Sequence, residues 1–274
     1  MYEFDQATAV RKLSGDDTVA VYEAEIFDGW DIYGAANGGY IGAVMMRAMQ
    51  THGGRPDPYT ITVHYLMPVP PGKARIEIET VKRGRLTNSM IAKLKIEDPS
   101  GNTDGRIAIT AIGAFGNISE VGRELINGTP PELPPFDGLT TDAREGGPQL
   151  MHRLALRIAP ADVGFARDEP NGLGTMRAWF AFPDGRPMDA LSTFIASDAT
   201  APAVFNLVGQ VGWVPTIELT VHYRQIPTGK MLQTSFASRF VKNGLVEEDG
   251  EIWDEQGNLV AISRQIAAMP RTDY

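Results

Sequence analysis

The sequence predicts an α+β protein built from two copies of one strand-helix-four-strand unit, with antiparallel sheets wrapped around central helices. Three observations carry that expectation. The string Thr-Val-His-Tyr occurs at Thr62 to Tyr65 and again at Thr220 to Tyr223. Pro71-Gly72-Lys73 is answered by Thr228-Gly229-Lys230, and Gly101-Asn102 by Gly257-Asn258, so the offset drifts only slightly. A repeat this long marks a duplicated domain and not a solenoid. Each copy then shows one alternating run, one helical stretch and four further strand-like runs.

In the first copy, Val19 to Phe27 alternates apolar and polar residues as a half-buried strand does. Gly39 to Gln50 reads as a helix, and the following runs are Tyr59 to Met67, Ala74 to Arg83, Ser89 to Glu97 and Arg106 to Phe115. The second copy opens with the strand Met176 to Phe182 and the helical stretch Asp189 to Leu207. Its remaining runs are Thr216 to Arg224, Met231 to Val241, Val246 to Trp253 and Val260 to Met269. Pro-Pro-Gly, Pro-Thr-Gly, Ser-Gly-Asn and Gln-Gly-Asn supply the turns. A lone unit would expose a sheet edge, so two copies are expected to dock as a pseudo-dimer. The units are placed at 1–116 and 148–274, with a Pro- and Gly-rich linker at 117–147 that wraps the surface.

The chain has 274 residues, and 25 Lys plus Arg against 34 Asp plus Glu give 25 − 34 = −9. With 43% apolar and 22% charged residues it is a folded globular protein. No apolar run reaches the roughly 18 to 20 residues of a membrane-spanning helix, and the opening is acidic and mixed, so a cytoplasmic protein is expected. The absence of Cys removes disulfides, thiolate metal sites and a cysteine nucleophile. The acidic balance argues against a nucleic-acid partner. His64 and His222 occupy equivalent repeat positions, which reflects shared packing more readily than a metal site. No metal and no cofactor is expected, because H-E-x-x-H, dinucleotide and phosphate-loop patterns are missing, and the absence of a G-x-S-x-G string disfavours a serine hydrolase.

Polar residues in apolar company are the remaining signal. Asp198 sits inside Leu191 to Leu207, where a carboxylate is costly to bury unless it is hydrogen-bonded or useful. Pro202 cannot donate to the carbonyl of Asp198, so the helix should kink or restart there; Asp198 could equally cap a helix beginning at Ala199. Alternation puts Thr216, Glu218, Thr220 and His222 on one face of their strand and Ile217, Leu219, Val221 and Tyr223 on the other. Gln265 interrupts the apolar last strand, where a solvent-facing position would also account for it.

The pattern resembles the acyl-CoA thioesterase II, or TesB-like, family, whose fold is a tandem double hotdog. The resemblance rests on Asn37-Gly38-Gly39-Tyr40, Tyr59-Thr-Ile-Thr-Val-His-Tyr-Leu-Met-Pro, Ala196-Ser197-Asp198, Pro215-Thr216-Ile217-Glu218 and Arg264-Gln265. It implies that Asp198, Thr216 and Gln265 are catalytic and direct one water at a thioester carbonyl, with Asp198 as general base. Gly38, Gly39 and Tyr40 at the helix start are assigned to substrate binding, the two glycine amides facing the carbonyl oxygen. Lys82, Arg83 and Arg85 are assigned to the phosphates of CoA, although a solvated hairpin is the commoner meaning of such a run. In that turn the chain lacks the Phe the family tends to carry. The apolar residues Ile41, Val44, Met45, Phe194, Ile195 and Val204 are divided between core and acyl pocket in a way the sequence leaves open. The resemblance implies an acyl-CoA substrate and association into a homo-oligomer. Two other readings stay open: a hydratase of the same fold using an Asp and His pair, with His222 as the available His, and a non-catalytic acyl-CoA or lipid binder.

Overall fold

The structure, a computed structural model, describes residues 1–98, 104–118, 124–139 and 148–270. In chain order the elements are α1 (Glu3–Ala7), β1 (Val10–Gly15), β2 (Val19–Ile26), β3 (Asp31–Ile32), β4 (Ala35–Ala36), α2 (Gly38–Gly53), β5 (Asp57–Tyr65), β6 (Gly72–Arg83), β7 (Asn88–Ile96) and β8 (Arg106–Gly116). The second half adds β9 (Arg157–Ile158), β10 (Thr175–Ala181), α3 (Ala190–Ala196), α4 (Phe205–Val208), β11 (Thr216–Tyr223), β12 (Met231–Ala237), β13 (Val241–Lys242), β14 (Leu245–Asp254) and β15 (Leu259–Ala268).

Among the described residues one antiparallel sheet of 13 strands runs β1-β2-β6-β7-β8-β5-β11-β15-β14-β12-β10-β9, with β13 paired to β14. The order has the same plan read from either end. Its centre is the seam between β5 and β11, where the repeated strings lie side by side. Thr62 is opposite Thr220, Val63 opposite Leu219 and Ile61 opposite Val221. The two threonine hydroxyls meet at 2.8 Å across the local two-fold. The repeat therefore pairs with itself, which covers the two strand edges a single unit would expose. Gly101-Asn102 lies outside the described residues.

Helix α2 lies against the inner face of the first half and is apolar nearly all round, with Tyr40, Val44, Met45, Met46 and Met49 fully buried. Asn37 caps its start, accepting from the Tyr40 amide at 3.0 Å, and Gly54 closes its end at φ +64°. Helix α3 is shorter. Asp189 and Ser192 form a reciprocal capping box at its start, and it stops at Ala196. Gly42 is where the two helices touch, since a Cβ there would fall 1.9 Å from the Phe194 ring.

Two differences from the sequence expectation have clear physical causes. The stretch Asp189 to Leu207 is not one helix, because Pro202 denies the ladder a donor; a loop separates α3 from the single turn α4. The mixed N-terminal residues form α1 and β1. Phe4, 1% exposed, stacks on Phe182 with ring centroids 4.8 Å apart, and Arg186 reaches Asp5 at 2.8 Å. That contact ties the N-terminus to the second half. Within the 117–147 stretch, residues 134–139 lie along β9 and β10, where Pro134 accepts from Trp179 Nε1 at 2.9 Å and Leu139 from Arg157 at 3.0 Å.

Candidate active site

Asp198 follows the C-terminal cap of α3, its amide bonded back to the Ile195 carbonyl at 3.1 Å. It caps a helix, but not one beginning at Ala199. Its Oδ2 accepts from the Gly39 amide of α2 at 2.8 Å and from Asn37 Nδ2 at 3.0 Å; the same Nδ2 donates to the Asp198 carbonyl at 2.9 Å. The carboxylate thus sits on the positive end of a helix from the other half of the chain, where an anion is favoured. Burial acts in the opposite sense and is the larger influence, lifting the Asp198 pKa from 3.8 to about 6. Hydrogen bonds from Gly39 and Asn37 hold it from going higher.

Glycine at 38 and 39 is what makes this approach possible. A Cβ on Gly38 would lie 2.8 Å from Asp198 Oδ2, and one on Gly39 would lie 2.9 Å from the Ile195 carbonyl oxygen. Tyr65 completes this corner, its hydroxyl donating to the Gly38 carbonyl at 2.9 Å.

Thr216 reaches the site through an irregularity that alternation could not reveal. Between Thr216 and Glu218 the register of β11 against β15 shifts by a bulge, so Thr216 is opposite the inward-facing Ala267 and Leu219 opposite Gln265. Simple alternation would put Thr216 with Glu218, Thr220 and His222 on the outer face. The bulge turns it inward. Its Oγ1 donates to Gln265 Oε1 at 2.9 Å. Gln265 is 9% exposed and faces the interior, not solvent, and its Nε2 donates to Glu248 Oε1 at 2.9 Å.

These groups share one cavity of about 780 Å³, lined by Asn37, Gly38, Asp198, Thr216, Glu248 and Gln265 at its polar end. Apolar side chains make up the rest, among them Met67, Val69, Phe165 and Phe205. Tyr33 and Trp213 stand at its rim, both more than half exposed. Of the apolar helix residues whose role the sequence left open, Ile41 and Val204 line the cavity, while Val44, Met45, Phe194 and Ile195 are wholly buried core.

Four expected binding residues are not brought here. Tyr40 points into the core of the first half, its hydroxyl donating to the Ala7 carbonyl at 2.9 Å and accepting from Phe27 at 3.2 Å. It ties α1 to α2 and packs on Trp30. Lys82, Arg83 and Arg85 lie on the β6–β7 hairpin, beside the other end of α2: Asn88 donates to the Gly53 carbonyl at 2.8 Å and Arg55 to the Gly84 carbonyl at 3.1 Å. A helix of 16 residues is about 24 Å long, which separates that hairpin from Asp198. Arg83 itself is hydrogen-bonded to the Asp17 carbonyl. Gly39 is at the site, yet its N–H is taken by Asp198. His64 and His222 are exposed on the outer face of the central strands, so His222 does not pair with Asp198.

Three contributors escaped the sequence reading. Asn37 was visible only as a neighbour of the glycines, and Tyr65 only as part of the repeat. Glu248 left a usable trace: Val246, Glu248, Gly250 and Ile252 share one phase of β14, and that phase is the buried one.

Comparison with known proteins identifies the family. Residues 27–116 match the model of the acyl-CoA thioesterase N-terminal domain and residues 130–269 that of the C-terminal domain. The chain belongs to the acyl-CoA thioesterase family. It is a thioester hydrolase, and no helix among its described residues is long and apolar enough to cross a membrane. A crystal structure of a candidate thioesterase II from Thermobifida fusca is 28% identical, with a TM-score of 0.87 over 99% of this chain and 98% of that one. A hotdog-fold protein of unknown function from Alicyclobacillus acidocaldarius shares the fold at 22% identity, with a TM-score of 0.83 and full coverage of both chains. An uncharacterized protein from Mycobacterium tuberculosis is 27% identical over 97% of this chain and 98% of its own length.

Proposed function

We propose that this thioesterase hydrolyses a fatty or related acyl-CoA by direct attack of water, without a covalent intermediate, in one cavity carried by two hotdog units in a single chain. The units are residues 1–116 and 148–274, joined by 117–147, and cytoplasmic homo-oligomers are the expected form. The supporting observation is the convergence of Asp198, Thr216 and Gln265, from three separate elements, on one end of a largely apolar cavity.

Asp198 Oδ2 is committed to Gly39 and Asn37, while the carboxylate as a whole lines the cavity and can accept a water proton. Its raised pKa makes it a stronger base than an ordinary aspartate while leaving it ionised at neutral pH. Thr216 gives its proton to Gln265 and keeps lone pairs for the second water hydrogen. The Gln265 amide has one further N–H beyond the one given to Glu248, and that N–H steadies the water oxygen. The remaining lone pair attacks the carbonyl carbon, the C–S bond breaks, and the proton taken by Asp198 passes to the departing thiolate. With Gly39 occupied, the Gly38 end of α2 is the positive end left to face the carbonyl oxygen as its charge grows. The apolar part of the cavity receives the acyl chain.

Release of free CoA thiol from a panel of acyl-CoAs tests this, with wild type beside Asp198→Ala; the protein contributes no thiol of its own. Wild type should turn over and the variant fall by about a hundredfold or more, the scale of a lost general base. Binding of acyl-CoA with no thiol released by wild type would overturn the reading.

A further inference from the structure

The mechanism above leaves one buried carboxylate of the cavity without a task. Glu248 is 7% exposed, and both its oxygens are engaged: Oε1 accepts from Gln265 Nε2 at 2.9 Å and Oε2 from the Ala203 amide at 2.6 Å. It stands directly opposite Gln265 in the β14–β15 register.

A primary amide has a donor end and an acceptor end, and its neighbours decide which way it points. An ionised carboxylate only accepts, so Glu248 takes the Nε2 end of Gln265 and leaves Oε1 aimed at Thr216. The Thr216 hydroxyl has a single proton. Given to Gln265 Oε1, it is not available to Asp198. We propose that Glu248 is a positioning residue whose ionised side chain locks the Gln265 amide so that Thr216 donates away from Asp198, keeping Asp198 free to take the water proton. This rests on the hydrolytic reading of the site.

The first half of the chain supplies an independent check. At the matching register positions it carries Met90 opposite Gly113, both without a polar side chain, in a region filled by core. The carboxylate and the amide occur together in one half and are missing together in the other.

The proposal implies a pH dependence. The titratable groups acting on Glu248 are Asp198 across the cavity and Asp249 next to it on β14, the latter paired with Arg264 and Arg239 on the outer face. Its hydrogen-bond partners from β15 and from the loop before α4 are uncharged amides. Burial, more than either charge, lifts Glu248 from 4.5 to about 7. Once protonated, Glu248 becomes a donor, Gln265 is free to turn, and Thr216 can give its proton to Asp198.

The decisive readout does not depend on turnover. In 15N-labelled protein the Gln265 side-chain amide signal, assigned by its loss in Gln265→Ala, should titrate near neutral pH in wild type. The titration should persist in Asp198→Asn and vanish in Glu248→Gln. A signal that is flat in wild type, or still titrating in Glu248→Gln, overturns the proposal. In thiol-release assays Glu248→Gln should lose about tenfold or more in kcat with KM nearly unchanged, and Glu248→Asp should recover part of it. A change in KM alone would show Glu248 to be a binding group and refute positioning. Failure of wild type to release thiol would instead refute the hydrolytic reading, and the amide titration would still decide whether Glu248 orients Gln265.

Discussion

The two halves share a plan but not a site, and their differences can be read position by position. Tyr65 and Tyr223 each donate to the first carbonyl of their helix, Gly38 and Ala190, at 2.9 Å. From that common point the halves diverge. Against Tyr65 sits the carboxylate of Asp198; against Tyr223 sits the thioether of Met46, 3.6 Å from the hydroxyl. Thr216, Gln265 and Glu248 correspond in register to Pro58, Gly113 and Met90. Helix α2 runs on through Gly53 and fills its half with methionine, whereas α3 stops at Ala196 and leaves room. On the proposed reading one cavity serves the duplicated fold; among the described residues the matching space of the first half is filled with apolar side chains, which contributes to stability.

The harshest test of this contrast puts a carboxylate into the closed half. Met90→Glu has no counterpart of Ala203 or Gln265 to receive it, and should destabilise the protein by about 3 to 5 kcal/mol in denaturant unfolding. A loss below about 1 kcal/mol would mean that the first half keeps latent polar space.

The next test asks what the open half costs. Asp198 has a folded-state pKa raised from 3.8 to about 6, so its ionisation opposes folding. The associated stability is fully present below about pH 3.8 and is lost as pH rises through about 6. Asp198→Asn does not ionise, and its amide oxygen can still accept from Gly39. At pH 8 it should be more stable than wild type by about 1 to 3 kcal/mol, with the gap closing below about pH 4. Thermal melts across that range check the sign. The same ionisation predicts that kcat/KM of the wild type rises with pH through about 6.

The smallest expected effect concerns the two equivalent hairpins. That of the second half, between β12 and β14, joins Ser238 and Val246 of the cavity wall, whereas that of the first half is at the far end of α2. Replacing Lys82 and Arg85 together by Ala should therefore change KM for acyl-CoA by less than about twofold, within the range of exposed charges. A tenfold rise would bring the hairpin back as a CoA contact.

Much of the plan was legible in the chain. The eight longest strands lie within a few residues of the expected runs, because period-two alternation reports a half-buried strand directly. Asp198, Thr216 and Gln265 stood out through resemblance and through polarity in apolar company. Local pattern could not show that β11 bulges after Thr216, and so it assigned that side chain to the wrong face. It could not show that the basic hairpin lies at the far end of α2 from the carboxylate, since sequence clusters carry no distance.

By itself the sequence determined the duplication, the long strands and helix α2, and the absence of any thiol, all of which follow from residue identity and short-range periodicity. Tertiary structure decided what lies beside what. Asp198 caps a helix 159 residues away, Thr216 turns inward at a bulge, and Glu248 meets Gln265 across two strands. Each is a long-range contact whose energy depends on burial and register, and those exist only once both halves have closed on their shared seam.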